Sequence, residues 1–274
     1  MKLLNSFLAF TAWKMTKPEA YGPFHLGFFV GGLFVCGLLA WLLRKSSEKT
    51  FRRMLLGCGI FLMLSEVYKQ LFYTFYIYNG EYRWWIFPFQ LCSIPMYLSV
   101  PVGIIGQGKV RRACCEFMLA YNLMGGFVAF IEPSGLVHEY WTLTLHAFIW
   151  HMLLVFIGLY IGATGHAGKS FKDFLPAAAM FVCLCGVAFI INLILWKPSG
   201  GTINMFYVGP DTSPIIVFKT ISEKFGWYVN TPIYMLCLTA AAFVFYLPFV
   251  IINRKKSGKG DVRGLYGAQS AGKA

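Results

Sequence analysis

The sequence predicts an all-α, polytopic integral membrane protein with seven transmembrane helices, and three observations support that expectation. The 274-residue chain is 58% hydrophobic, with a mean hydropathy of +0.61 and only 13% charged residues, too apolar for a soluble domain of this length. Runs of about 20 apolar residues, the length that crosses roughly 30 Å of hydrocarbon as a helix, recur from end to end. Lysine and arginine gather on alternate connections, about twice as many on one set as on the other. The positive-inside rule then puts the amino terminus outside and the carboxy terminus, with "RKKSGKG", in the cytoplasm of a multi-pass cell-membrane protein, the cytoplasmic membrane in a bacterium.

The expected spans cover residues 24–43, 54–78, 85–106, 113–131, 141–163, 177–196 and 227–252. Residues 1–20 place Leu3, Leu4, Phe7, Leu8 and Thr11 on helical spacing, which predicts an amphipathic interfacial helix; a secretory signal is the competing reading. Residues 21–253 form the transmembrane domain, and the basic, Gly-rich segment 254–274 reads as a disordered cytoplasmic tail. The long connection 197–226 contains Ser213 before a proline, then Ile215, Phe218, Ile221 and Phe225 on one helical face, so a short surface helix is expected there, with a plain loop as the alternative.

The net charge of +13 follows the membrane topology, and nucleic acid is excluded as a partner. The eight cysteines fall in or beside spans without C-x-x-C pairs or zinc-ligand spacing, so neither a disulfide framework nor a metal is expected. No nucleotide-binding motif is present and no cofactor is required.

Helical rise converts this topology into depth. Cys92 lies about 10 Å below the outer boundary in span three, and His146 and His151 lie about 8 and 15 Å down span five. Asn192 and Asn230 stand near the outer ends of spans six and seven, so these polar groups are expected to converge on one cavity opening outward. Pro95 is expected to kink span three beside Cys92, freeing a carbonyl that, with Gln90 and Ser93, needs partners. A histidine at matching depth can take the thiol proton, whereas an isolated buried cysteine is an inert packing residue. The histidines lie five residues apart, about 140° around the helix, so they are expected to point differently. Glu66 and Lys69 share a face of span two and read as a buried ion pair or a proton relay.

The segments "PFHLGFF", "FPFQLCSIPMYL", "LHAFIWHMLLVFIGLY", "GGTINMFYVGP" and "FGWYV", in this order, resemble the YwaF family of bacterial integral membrane proteins. They are more distantly similar to eukaryotic transmembrane acyltransferases that remodel ether phospholipids. In that branch a third-span cysteine and a fifth-span histidine carry activity; the resemblance implies Cys92 and His151 here. It also marks His25, Gln90 and Asn204 as polar positions typical of the bacterial branch. Related membrane hydrolases use threonine and histidine, which keeps Ser93 open as the nucleophile.

The expectation is therefore a lipid acyltransferase or acyl hydrolase with a Cys92–His151 pair, acting on a membrane phospholipid or lysophospholipid. Gln90, Ser93, His25, His146, Asn192, Asn204 and Asn230 would support it. A small transporter or channel using Glu66 and Lys69, and a non-catalytic membrane scaffold, are the alternatives.

Overall fold

The computed structural model describes residues 2–211, 213 and 215–270 and is all-helical. Six helical segments are long and apolar enough to cross a membrane: 23–45, 48–77, 109–131, 141–163, 171–195 and 227–254. The named helices are α1 (Lys2–Thr11), α2 (Pro23–Leu42), α3 (Glu48–Leu71), α4 (Ile94–Ile104), α5 (Lys109–Phe117), α6 (Leu123–Ile131), α7 (Trp141–Ala163), α8 (Phe174–Leu195), α9 (Ile216–Phe225) and α10 (Trp227–Ser270). α10 continues through the basic segment expected to be an irregular tail, while residues 271–274 lie outside the described residues.

The expected third span takes a different form. A short 3₁₀ turn, Trp84–Ile86, is separated from the helical stretch Leu91–Ile104 by residues 87–90, which have no regular helix. At about 1.5 Å per residue those fourteen residues fall well short of the hydrocarbon thickness. The expected Pro95 kink is also corrected. Pro95 sits in the first turn of α4, where an amide hydrogen would have no helical acceptor anyway, and the Leu91 carbonyl takes the Ile94 N–H. The break in regular structure therefore precedes Cys92, and the proline starts the helix that follows.

α5 and α6 are joined by a wide π turn over Met118–Asn122 and, with α7, form the buried centre, whereas α2, α8 and α10 present most of their apolar surface outward. A second π turn, Phe72–Ile77, extends α3. π turns insert a residue into the helical ladder and are frequent beside functional sites.

Contacts fix which helix ends meet. Glu48 at the start of α3 pairs with Arg111 in α5, and the Arg52 side chain bonds the carbonyls of Gly103 and Ile104 at the end of α4. At the other end α1 packs Leu8 among Phe72, Tyr73, Ile86 and Leu143, and Trp13 stacks on Trp141 at 5.6 Å. α9 forms where the 215–225 spacing placed a helix, and Phe218 packs edge-on against Tyr234 of α10 at 5.0 Å. Ser213 accepts the Ile215 N–H at 3.3 Å, while residue 214, the expected first-turn proline, lies outside the described residues. Gly226, with φ of 83°, ends α9 in a conformation costly for residues with a Cβ.

Close approach of α3 and α4 depends on glycine. A Cβ at Gly103 would lie 2.9 Å from both the Arg52 oxygen and the Leu56 nitrogen, backbone atoms that cannot rotate away. Gly103→Ala should therefore cost about 1–3 kcal/mol and lower the melting temperature by several degrees in detergent. Gly57→Ala, whose Cβ would meet nothing within 4 Å, is the control and should leave the temperature within error of the wild type.

Candidate functional site

The irregular approach to α4 borders a cavity of about 250 Å³ near the α1 end of the bundle. Gln90, Cys92 and Ser93 line one side, His146 and His151 of α7 another, and Glu66 and Lys69 of α3 a third. Residues from three distant parts of the chain thus meet around one space. Tyr73, His138 and Tyr207 complete its polar boundary.

α7 holds both the histidine and the backbone of the cysteine. The Trp150 indole N–H donates to the Cys92 carbonyl at 2.9 Å, which ties the 3₁₀ turn Leu91–Ser93 to α7 one residue before His151. His151 Nδ1 lies 2.7 Å from the Ala147 carbonyl. A carbonyl only accepts, so Nδ1 carries the hydrogen and Nε2 of the neutral ring keeps a lone pair able to take a proton. Gly126 keeps α6 close behind: a Cβ there would come within 2.8 Å of the His151 carbonyl.

The two histidines were expected to point differently. Both border this cavity, and His146 also faces a second groove beside Ser65 and Ile149. A 140° separation places two side chains on different flanks of a helix, and this cavity wraps far enough around α7 to meet both.

Gln90 is a clamp. Its Nε2 donates to the Asn204 carbonyl at 2.9 Å and its Oε1 accepts the Phe206 N–H at 2.8 Å. Asn192 holds the same loop from α8: Nδ2 donates to the carbonyls of Met205 and Val208 at 3.0 and 2.8 Å, and Oδ1 accepts the Met205 N–H at 2.7 Å. Two side-chain amides thereby satisfy the backbone of a buried loop whose Phe206 and Tyr207 adopt φ of 54° and 55°. Such left-handed aromatic residues are strained and persist where surrounding contacts over-determine them.

Asn192 and Asn230 were expected to face the common cavity, and neither lines it. Asn192 is committed to the loop, and Asn230 is buried near the start of α10. Asn204 contributes its carbonyl to the Gln90 clamp. His25 is fully buried away from the cavity, its Nδ1 accepting the Tyr21 N–H at 3.2 Å among the rings of Phe29, Phe130 and Phe148.

The TMEM164 family pattern matches residues 20–249, more than four-fifths of the chain. The chain belongs to the TMEM164 family. The matched region begins just before α2, contains every cavity residue named above and ends within the last apolar segment, so this family member's site lies wholly inside it. Nothing matches the chain among curated proteins or solved structures. Family membership and six long apolar helices together make it a multi-pass membrane protein.

Sequence reasoning missed Trp150, His138 and Tyr207. Trp150 acts through a backbone carbonyl and leaves no motif. His138 precedes α7 in a connection outside the expected spans; its Nδ1 lies 3.4 Å from the Tyr73 hydroxyl. Burial, with the Lys17 charge, holds its imidazole below the ordinary value, so it is neutral at pH 7.

Lys69 Nζ lies 2.9 Å from Glu66 Oε1, and Gln70 Nε2 bridges that oxygen and the Ile86 carbonyl at 2.7 and 2.6 Å. Glu66→Gln should therefore lower folded yield more than the double change Glu66→Gln/Lys69→Met, because the single change strands a charge and the double removes both. Equal losses would show that the pair is not coupled.

Asn192→Leu should leave the Met205 N–H and the Val208 carbonyl unpaired, while the Met205 carbonyl keeps the Val208 N–H, at a cost of about 2 kcal/mol or more. Hydrogen exchange at Met205 and Phe206 should accelerate by at least tenfold. Unchanged exchange would mean that the Gln90 clamp holds the loop alone.

Proposed function

We propose that the protein moves acyl chains between membrane lipids, with Cys92 as nucleophile and His151 as general base. The observation that carries this reading is one cavity bordered by a thiol and by an imidazole whose Nδ1–H is engaged, leaving Nε2 to exchange protons. The resemblance of residues 87–98 and 145–160 to membrane lipid acyltransferases supports it. His151 Nε2 takes the Cys92 proton as sulfur attacks the ester carbonyl. Collapse expels the lysolipid oxygen, which leaves with that proton, and an acyl thioester remains on Cys92. The hydroxyl of a second lysolipid, or water, then gives its proton to Nε2, attacks the thioester and displaces the thiolate, which recovers the proton.

Gln90 is occupied by the loop, so it is a poor candidate to stabilise the oxyanion. Lys69 is the better one: an ammonium has three donors, its partner Glu66 uses one, and the side chain borders the cavity. Ser93 borders the same cavity and is the alternative nucleophile. A proton-coupled transporter is the second reading, favoured by the Glu66–Lys69 pair facing this space.

In this reading the short α4 and its irregular approach form a third pass, so the chain crosses seven times. The cavity then opens toward the outer leaflet, and the basic helix ends face the cytoplasm.

Purified protein in mixed micelles with a phospholipid donor and a lysophospholipid acceptor, followed by mass spectrometry, tests the proposal. Cys92→Ala and His151→Ala should each reduce transfer at least a hundredfold without lowering the melting temperature, and the double variant should be no worse than either alone. Full activity in Cys92→Ala together with loss in Ser93→Ala would move the nucleophile by one residue. Full activity in all three variants would overturn this assignment of residues, and no transfer by the unaltered protein would favour the transporter.

A further inference from the structure

A second cleft, of about 560 Å³, lies at the opposite end of the bundle from the Cys92 cavity. Glu48, whose side chain meets the cleft residues Gln107, Arg111 and His166, and Glu66, at the Cys92 cavity, are eighteen residues apart on α3, about 27 Å by helical rise. Lys109, Arg111, Arg112, His166 and Lys169 border the cleft, and no carboxylate does. The neighbouring acids are already engaged. Glu48 meets Arg111 at 2.5 Å and His166 at 3.1 Å, Asp173 meets Arg112 at 2.5 Å, and Glu116 accepts from the Gly168 N–H at 2.9 Å and the Tyr246 hydroxyl at 2.7 Å.

Arg111 makes this more than a patch of surface charge. Its side chain is only 4% exposed, yet it borders the cleft. Nη1 is held by the Glu48 carboxylate, and Nη2 has no hydrogen-bond partner. A buried guanidinium with spare donors calls for an acceptor, and its planar fork suits phosphate oxygens. Phe51 supports it from below, 5.3 Å from the guanidinium carbon, and stacks its other contact, His166, at 3.5 Å. The amino terminus of α5 opens onto the same cleft: Gly108 caps it without a side-chain bond, so first-turn N–H groups and the helix dipole add to the field.

We propose that this cleft is a phosphate-binding site, built around Arg111 and the first turn of α5, that takes the phosphate of an anionic lipid head group or free inorganic phosphate. It stands apart from the acyl-transfer reading, since neither Cys92 nor His151 contributes to it. Basic pockets between membrane helices suit anionic head groups, and the exposed Lys109 and Lys169 stand where a phosphate would approach from water or from the lipid surface.

The test uses the full chain in phosphatidylcholine nanodiscs, with thermal stability as the readout, because a ligand that binds only the folded state raises the melting temperature. One arm titrates inorganic phosphate at constant ionic strength; the other replaces an increasing fraction of the lipid with phosphatidylglycerol. A saturating rise should occur in at least one arm: with phosphatidylglycerol if the head group is the source, with phosphate if the free ion is. Lys109→Gln/Lys169→Gln should at least halve the rise, and the single Lys169→Gln variant, a smaller perturbation, should reduce it in part. Lys219→Gln/Lys224→Gln on α9 removes the same charge elsewhere and should leave the rise unaltered. No saturating rise in either arm, or equal loss in both double variants, would overturn the proposal. None of these readouts involves acyl transfer, so this site and the Cys92 reading can fail separately.

Discussion

Where chain inside a membrane protein is not helical, every backbone N–H and C=O in it must find a partner within the protein. Two stretches here face that constraint, residues 87–90 and 203–208, and the rest of the cavity depends on how it is met. Gln90 belongs to the first stretch and hydrogen-bonds the second through both ends of its amide, while Asn192 holds the second from α8. Each irregular segment thus helps to make the other tolerable. Without the paired loop the Gln90 amide would lose both of its partners, and Trp150 alone would tie the turn bearing Cys92.

The same arrangement separates stability from chemistry within one short motif. In "FPFQLCSIP" the glutamine holds a loop, the cysteine and serine border the cavity, and the second proline opens a helix. Trp150 adds a third tie by donating to the Cys92 carbonyl, so the positions of Cys92 and His151 are correlated through adjacent residues of α7. That gives a rigid mounting to one side of the cavity, while the wide π turn that extends α3 contributes Tyr73, near its start, to the lining.

Charge is divided between the two ends of the bundle. At the α1 end a single ion pair, Glu66–Lys69, borders the cavity. At the opposite end Glu48, Arg111, Arg112, His166 and Asp173 interlock the starts of α3, α5 and α8 with the connection after α7. Such a network joins helix ends by pairing charges, some of them buried, and leaves the middle of the bundle to apolar packing and glycine contacts.

The rough placement of six long helices was legible from apolar runs, because a span of hydrocarbon imposes a length that composition reports directly; the seventh expected run, residues 85–106, is helical over too short a stretch to join them. The grouping of Gln90, Cys92, Ser93, His146 and His151 was approached by the same route, since rise per residue turns position into depth, whereas Glu66 and Lys69 were read separately as a pair on one helix face. Depth carries no azimuth. That is why Asn192 and Asn230 were expected to take part in the site while the structure turns them to a loop and to the start of α10; His25, expected from the resemblance alone, lies in a cage of phenylalanine rings.

By itself, then, the sequence determined that the chain is an all-helical membrane protein, which polar residues lie at similar depths, and where α9 forms, all consequences of local composition and periodicity. Tertiary structure alone decided that the approach to α4 is irregular chain, that Pro95 starts a helix, that both histidines meet one cavity and that Gln90 is a clamp. These outcomes depend on which backbone groups can find partners across more than a hundred residues of sequence, and no local pattern records that pairing.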